Sequence, residues 1–104
     1  MTFSYYVGIS GMDNQLRDAA EKGDAVKLSS LIQEIPKDHL AVVVNKGDNQ
    51  DRTPLNRAAE NGHAECVKLL LEAKADPNKG DNENRTPLYW VAQYGHAECV
   101  KLLL

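Results

Sequence analysis

Residues 45–71 read NKGDNQDRTPLNRAAENGHAECVKLLL, and residues 78–104 read NKGDNENRTPLYWVAQYGHAECVKLLL. Twenty of these 27 aligned positions are identical at an offset of 33 residues, too many for chance. A period of that length marks a supersecondary unit that cannot bury its apolar face alone and is stable only when stacked on its neighbours.

One unit can be read from its punctuation. Asp48-Asn49-Gln50-Asp51 is a polar run of turn formers, which suits a hairpin-like loop. Thr53-Pro54 starts a helix: the hydroxyl caps it, and proline occupies the first helical position, where its missing N–H costs nothing. The spacing predicts a short helix from Pro54 to about Asn61, with Leu55, Ala58 and Ala59 inward, closed by Asn61-Gly62. A second helix is predicted from His63 to about Ala73, where Cys66, Val67, Leu70 and Leu71 recur at spacings of three and four. The unit is therefore loop, helix, turn, helix.

Arg52-Thr53-Pro54-Leu55, Ala58-Ala59, Gly62-His63, Val67-Lys68-Leu69-Leu70-Leu71 and Ala75-Asp76-Pro77-Asn78 together resemble the ankyrin repeat, and Arg85-Thr86-Pro87-Leu88 with Gly95-His96 through Leu104 match it again. The resemblance implies an all-α solenoid of stacked helix-turn-helix units with hairpin-like loops, about three repeats long, the last one truncated. A weaker first copy lies upstream: residues 16–24 align with residues 55–63 at an offset of 39. The extra residues fall in Glu34 to Val44, EIPKDHLAVVV, where Val42-Val43-Val44 are expected to pack as an extended stretch. The expected organisation is a tail over residues 1–12 and a repeat domain over 13–104. That domain divides into a degenerate capping repeat with its insert (13–44), a full repeat (45–77) and a truncated one (78–104). For residues 1–11 two readings stay open: an extension upstream of a start at Met12, or a native disordered tail.

The sequence departs from the family pattern at several points. The usual loop glycine is Asp51 in one copy and Asn84 in the other, and Lys74 stands where a helix-ending glycine is usual. The family's histidine after Thr-Pro-Leu is Asn56 in one copy and Tyr89 in the other, so its hydrogen bonds must be replaced or absent.

The two copies differ at Gln50/Glu83, Asp51/Asn84, Asn56/Tyr89, Arg57/Trp90, Ala58/Val91, Glu60/Gln93 and Asn61/Tyr94, all in the loop or the first helix. The second helices are identical over nine positions, as packing of one on the next requires. In proteins that resemble ankyrin, loops and first helices line the surface that grips partners. The expected partner-binding set is therefore Asn49, Gln50, Arg52, Arg57, Glu60, Asn61, Asn82, Glu83, Arg85, Trp90, Gln93 and Tyr94. Trp90, Tyr94 and Arg57 are of the residue types that dominate interface energies. Tyr89 is expected to fill a gap between repeats and Tyr94 to be exposed; for Trp90 both readings are open.

Composition narrows the function classes. Net charge is −3 and no run of basic residues is present, so neither a nucleic-acid stripe nor a polybasic membrane cluster is visible. Cys66 and Cys99 fall at equivalent positions of successive copies. Stacked helices lie about 8–10 Å apart, beyond the reach of about 7 Å between Cα atoms that a disulfide needs, so both are read as reduced thiols. His63-Ala64-Glu65 and His96-Ala97-Glu98 imitate half of a zinc deaminase signature, but the Pro-Cys-x-x-Cys partner is missing. No phosphate-binding or nucleophile-elbow motif occurs.

The expectation is a non-catalytic protein- or peptide-binding module with no metal and no cofactor, no nucleic-acid or membrane partner, and a cytoplasmic location by default. The alternative is the repeat region of a longer enzyme or effector whose active domain lies beyond Leu104. Because the pattern stops in mid-helix, further repeats past Leu104, marginal stability of the 104 residues alone and self-association through the open last face are also expected.

Overall fold

The computed structural model describes residues 11–104. Among them are seven helices and no strand: α1 (Met12–Lys22), α2 (Ala25–Glu34), α3 (Lys37–Val44), α4 (Pro54–Glu60), α5 (Ala64–Glu72), α6 (Pro87–Tyr94) and α7 (Ala97–Leu103). Residues 1–10, the greater part of the expected tail, lie outside this description. Met12 begins α1 and is buried in the core.

Both predicted Thr-Pro helix starts are capped by the threonine side chain. The Thr53 Oγ1 accepts a hydrogen bond from the Asn56 N–H at 3.2 Å, and the Thr86 Oγ1 accepts one from the Tyr89 N–H at 3.2 Å. Asp24 caps α2 in the same way, accepting from the Lys27 N–H at 3.1 Å. Proline follows each threonine at the first helical position, where its missing N–H leaves one fewer donor to satisfy, whereas α1, α3, α5 and α7 start without a side-chain cap.

The helices form two layers. α1, α4 and α6 pack in succession as an inner layer, and α2, α5 and α7 pack in succession as an outer one. Three hairpins, α1–α2, α4–α5 and α6–α7, are the three repeats. The core runs between the layers through Leu16, Leu28, Leu55, Leu70, Val67 and Val91, all with essentially no exposure.

The insert corrects an expectation. Val42-Val43-Val44 are not extended but end the helix α3, which packs against α1. Pro36 opens that helix, and Val43 and Val44 turn into the core while Val42 stays 72% exposed. A run of three β-branched residues signals a strand locally, but burial of two of them on one helical face outweighs a propensity difference of a few tenths of a kcal/mol per residue.

Successive repeats are keyed by a histidine resting on a glycine. The His63 Nε2 donates to the Glu21 carbonyl at 3.0 Å, and the His96 Nε2 donates to the Glu60 carbonyl at 3.1 Å. Each ring lies over the turn glycine of the repeat before it: a Cβ on Gly23 would stand 2.6 Å from His63 Nδ1, and one on Gly62 would stand 2.6 Å from His96 Nδ1. Both glycines also have positive φ, so the position excludes side chains twice over. Each histidine thus joins its own repeat to the one before it through a backbone carbonyl.

The missing family residues are partly compensated. Asn56 is buried, and its Nδ2 donates to the Thr53 Oγ1 at 3.3 Å and to the Lys79 carbonyl at 3.2 Å. Its Oδ1 has no partner, so the replacement is incomplete. Asp51, Asn84 and Lys74 all take positive φ, at 58°, 61° and 77°, which is the conformation the absent glycines would hold without strain. Cys66 and Cys99 are free and buried, and burial first, then nearby carboxylates, pushes both thiols up.

Glycine keying makes a quantitative contrast available. Gly62→Ala must both hold a left-handed backbone and displace the His96 ring, whereas Gly95→Ala has the same backbone conformation with nothing within 4 Å of the added Cβ. Urea unfolding followed by circular dichroism is expected to show a loss of about 1–2 kcal/mol for Gly95→Ala, from backbone strain alone, and a clearly larger loss for Gly62→Ala.

Candidate partner-binding surface

The loops before α4 and α6 are built alike, each around one aspartate. Asp48 Oδ1 accepts from the N–H groups of Gln50 and Arg52 at 2.8 and 3.0 Å, and its Oδ2 accepts from the Arg52 Nε at 2.9 Å. Asp81 repeats this with Glu83, Arg85 and the Arg85 Nε at 2.9, 3.0 and 2.9 Å. Backbone bonds across each loop, from the Asp48 N–H to the Arg52 carbonyl and from the Asp81 N–H to the Arg85 carbonyl, make the expected hairpin-like turn. The Asn82 N–H then donates to the Gln50 carbonyl at 2.9 Å, so one loop is tied to the next. Burial alone would raise both carboxyls; the backbone N–H bonds and the arginine outweigh it and hold both below the ordinary value.

This scaffold sorts the expected site residues into two groups. Asn49, Gln50, Asn82 and Glu83 are exposed on the loops, and Asn61, Gln93 and Tyr94 are exposed at the ends of α4 and α6. The arginines and Trp90 are instead engaged within the chain. Arg52 and Arg85 are half-buried and spend a guanidinium edge on Asp48 and Asp81. Arg57 pairs with Glu21 across the first junction and reaches Asp48 at 4.0 Å.

The question left open for Trp90 is settled as burial: it is 9% exposed. The Arg85 guanidinium lies over the Trp90 ring, 4.7 Å from the centre, and the Tyr94 ring lies 5.9 Å away with planes 9° apart. Tyr94 is 53% exposed, as its place beside the turn glycine implied. Tyr89 is 47% exposed and meets the Trp90 ring edge-on at 5.3 Å, so it does not fill a gap among the described residues.

Two open clefts flank these residues. One, of about 570 Å³, joins Asn49, Gln50 and Arg52 to Asp13, Asn14, Arg17 and Lys46. The other, of about 460 Å³, lies between Glu60, Asn61, Tyr94 and His96. Sequence reasoning missed the α1 contribution to the first cleft. Arg17 is buried, donates to the Lys46 carbonyl at 2.8 Å and pairs with Asp13 at 2.8 Å. The Asp13–Arg17 spacing of four was the signal for that pair. It also missed Asn45, which joins the insert to the second junction by donating to the Ala41 and Lys74 carbonyls and accepting from the Asp76 N–H at 2.7 Å.

No group of three or more histidine, cysteine, aspartate or glutamate side chains poised to hold a metal occurs among the described residues. Nor is any described helix long and apolar enough to cross a membrane.

Comparison with known proteins places these features in context. The family profile described as "Ankyrin repeats (3 copies)" matches residues 16–104. Cortactin-binding protein 2 of Dasypus novemcinctus is 38% identical over 67 residues, which are 64% of this chain and 4% of that protein. The protein of the same name from Ornithorhynchus anatinus is 36% identical over 69 residues, 66% of this chain and 4% of that one. The chain therefore spans only a small fraction of the length of these relatives. Among solved structures, the ankyrin repeat domain of human ASB11 superposes with a TM-score of 0.75 at 32% identity, covering 85% of this chain and 37% of that one.

The aspartates at the heart of the loops carry a pH dependence. A carboxyl held below its unfolded value of about 3.9 stabilises the fold fully above that pH and loses the contribution as pH falls through the folded value. Urea midpoints are expected to be flat from neutral pH to about 5 and to fall in steeper acid. Asp81→Asn, which sets an amide donor against the Arg85 Nε, is expected to cost about 1–3 kcal/mol at neutral pH and to flatten the acid limb.

Proposed function

The chain belongs to the ankyrin repeat family, and on that premise we propose that it is a protein-interaction module whose loops and first helices receive a protein or peptide partner. The observation that carries this reading is the division of variability between the layers. Outer helices α5, through Leu71, and α7 are identical in sequence and pack on each other, while the differences fall on α4, α6, the loops that precede them and Asn61 just after α4. Rigid stacking holds that variable layer in place, so a partner would meet a surface ordered in advance and lose little to ordering it.

The contact set within that layer follows from exposure. Gln50, Asn61, Glu83, Gln93 and Tyr94 are open, and Glu60 is half-open, so these would touch the partner directly. Arg52, Arg57, Arg85 and Trp90 would act mainly by holding the surface in shape, since their charged edges and ring faces already have partners inside the chain. The relatives named for binding cortactin agree with a role in protein binding, and a protein partner is the occupant this surface fits. No catalytic grouping is part of the reading.

The test separates surface from scaffold. The variant Gln50→Ala/Asn61→Ala/Tyr94→Ala removes exposed groups of the proposed face, and Lys68→Ala/Lys101→Ala removes exposed groups of the outer helices. Affinity capture with quantitative mass spectrometry is expected to show proteins lost by the first variant and kept by the second, with equal helical circular dichroism. Equal capture by both, or equal loss from both, would overturn the assignment of the face.

A further inference from the structure

The two junctions between repeats are built on one plan but differ in charge, and the difference leaves a carboxylate open. Glu21 near the end of α1 and Glu60 at the end of α4 occupy equivalent positions, and each lends its backbone carbonyl to the histidine of the next repeat. At the first junction the next repeat also supplies Arg57, whose guanidinium neutralises the Glu21 side chain. At the second junction the position of Arg57 is taken by Trp90. Among the described residues no cation pairs with the Glu60 carboxylate, and Glu60, half-buried, lines the 460 Å³ cleft with Asn61, Tyr94 and His96.

We propose that this cleft receives an arginine side chain of a protein partner, whose guanidinium takes at Glu60 the place that Arg57 takes at Glu21. The inference rests on the reading of this layer as an interaction surface and names the chemistry of its partner there. Three features converge on a guanidinium. The molecule itself supplies the template, an arginine–glutamate pair at the equivalent junction. Tyr94 brings an aromatic ring, half open to solvent, to which a planar cation is attracted. The Asn61 side chain adds an amide to the lining, its Nδ2 already held at 2.8 Å by the Arg57 carbonyl. The Arg85 guanidinium over the Trp90 ring shows how this chain already seats a guanidinium against an aromatic face, and Tyr94, stacked on Trp90 and 6.0 Å from the His96 ring, offers a second aromatic surface beside Glu60. Net charge of −3 favours the approach of a basic segment.

The experiment is calorimetric titration of the full 104-residue chain with a hexa-arginine peptide and, in parallel, a hexa-glutamate peptide, at low salt. Saturable binding of hexa-arginine only is expected, weakened about tenfold by Glu60→Gln. The side chain of Glu60 is not used in the junction bond, which runs through its carbonyl, so that variant keeps the keying histidine. Glu65→Gln removes the same charge from an exposed site on the outer helix α5 and is expected to leave affinity nearly unchanged. Trp90→Arg, which installs the template's own arginine, is expected to abolish binding by pairing Glu60 internally; circular dichroism checks that it folds. Equal weakening by Glu60→Gln and Glu65→Gln, or full binding by Glu60→Gln, would overturn the proposal. Either result could stand beside partner capture that depends on Gln50, Asn61 and Tyr94, in which case the interaction surface survives and the arginine site alone falls.

Discussion

The architecture depends on a close approach between an imidazole ring and a backbone that carries no side chain. His63 over Gly23 and His96 over Gly62 bring consecutive repeats within ring contact, and the Nε2 bond to the Glu21 or Glu60 carbonyl fixes their register. That bond satisfies a carbonyl at the end of a first helix, where no intrahelical donor remains. One side chain thus closes a helix end and joins two units. The leucine and valine core supplies the greater share of the burial, but apolar surfaces slide; the histidine bond sets where they stop.

A second set of constraints acts on the loops. Asp48 and Asp81 each gather two N–H groups and an arginine edge, so the turn is held by hydrogen bonds to a charged oxygen, the stronger kind. This rigidity allows Asp51 and Asn84 to remain in left-handed conformations that glycine would hold at lower cost. It also consumes Arg52 and Arg85. Residue types that dominate many interfaces serve here to hold the loop, and the exposed polar tips beside them form the surface.

Much of this was legible in the chain. The 33-residue echo, the Thr-Pro starts and the Gly-His turns place α4, α5, α6 and α7 within a residue or two, because caps and turns are decided by neighbours in sequence. The left-handed residues at positions 51 and 84 follow from the same logic. The helix α3 was not legible: Val42-Val43-Val44 carries a strand preference that only the presence of α1 beside it overrides. The roles of Arg57 and Asn45 were hidden for a related reason, since their partners lie 36 residues away at Glu21 and 31 residues away at Asp76.

The sequence by itself determined the repeat, its helices and the split between an unvarying outer layer and a variable inner one, because identity between copies records the packing that every copy shares. Only the tertiary structure decided which variable residues are open and which are spent. Trp90 is buried against Arg85 and Tyr94, Arg57 is neutralised by Glu21, and among the described residues Glu60 is left without a cation. Those outcomes depend on which repeat stands next to which, and adjacency in space between residues far apart in the chain exists only once the units have stacked.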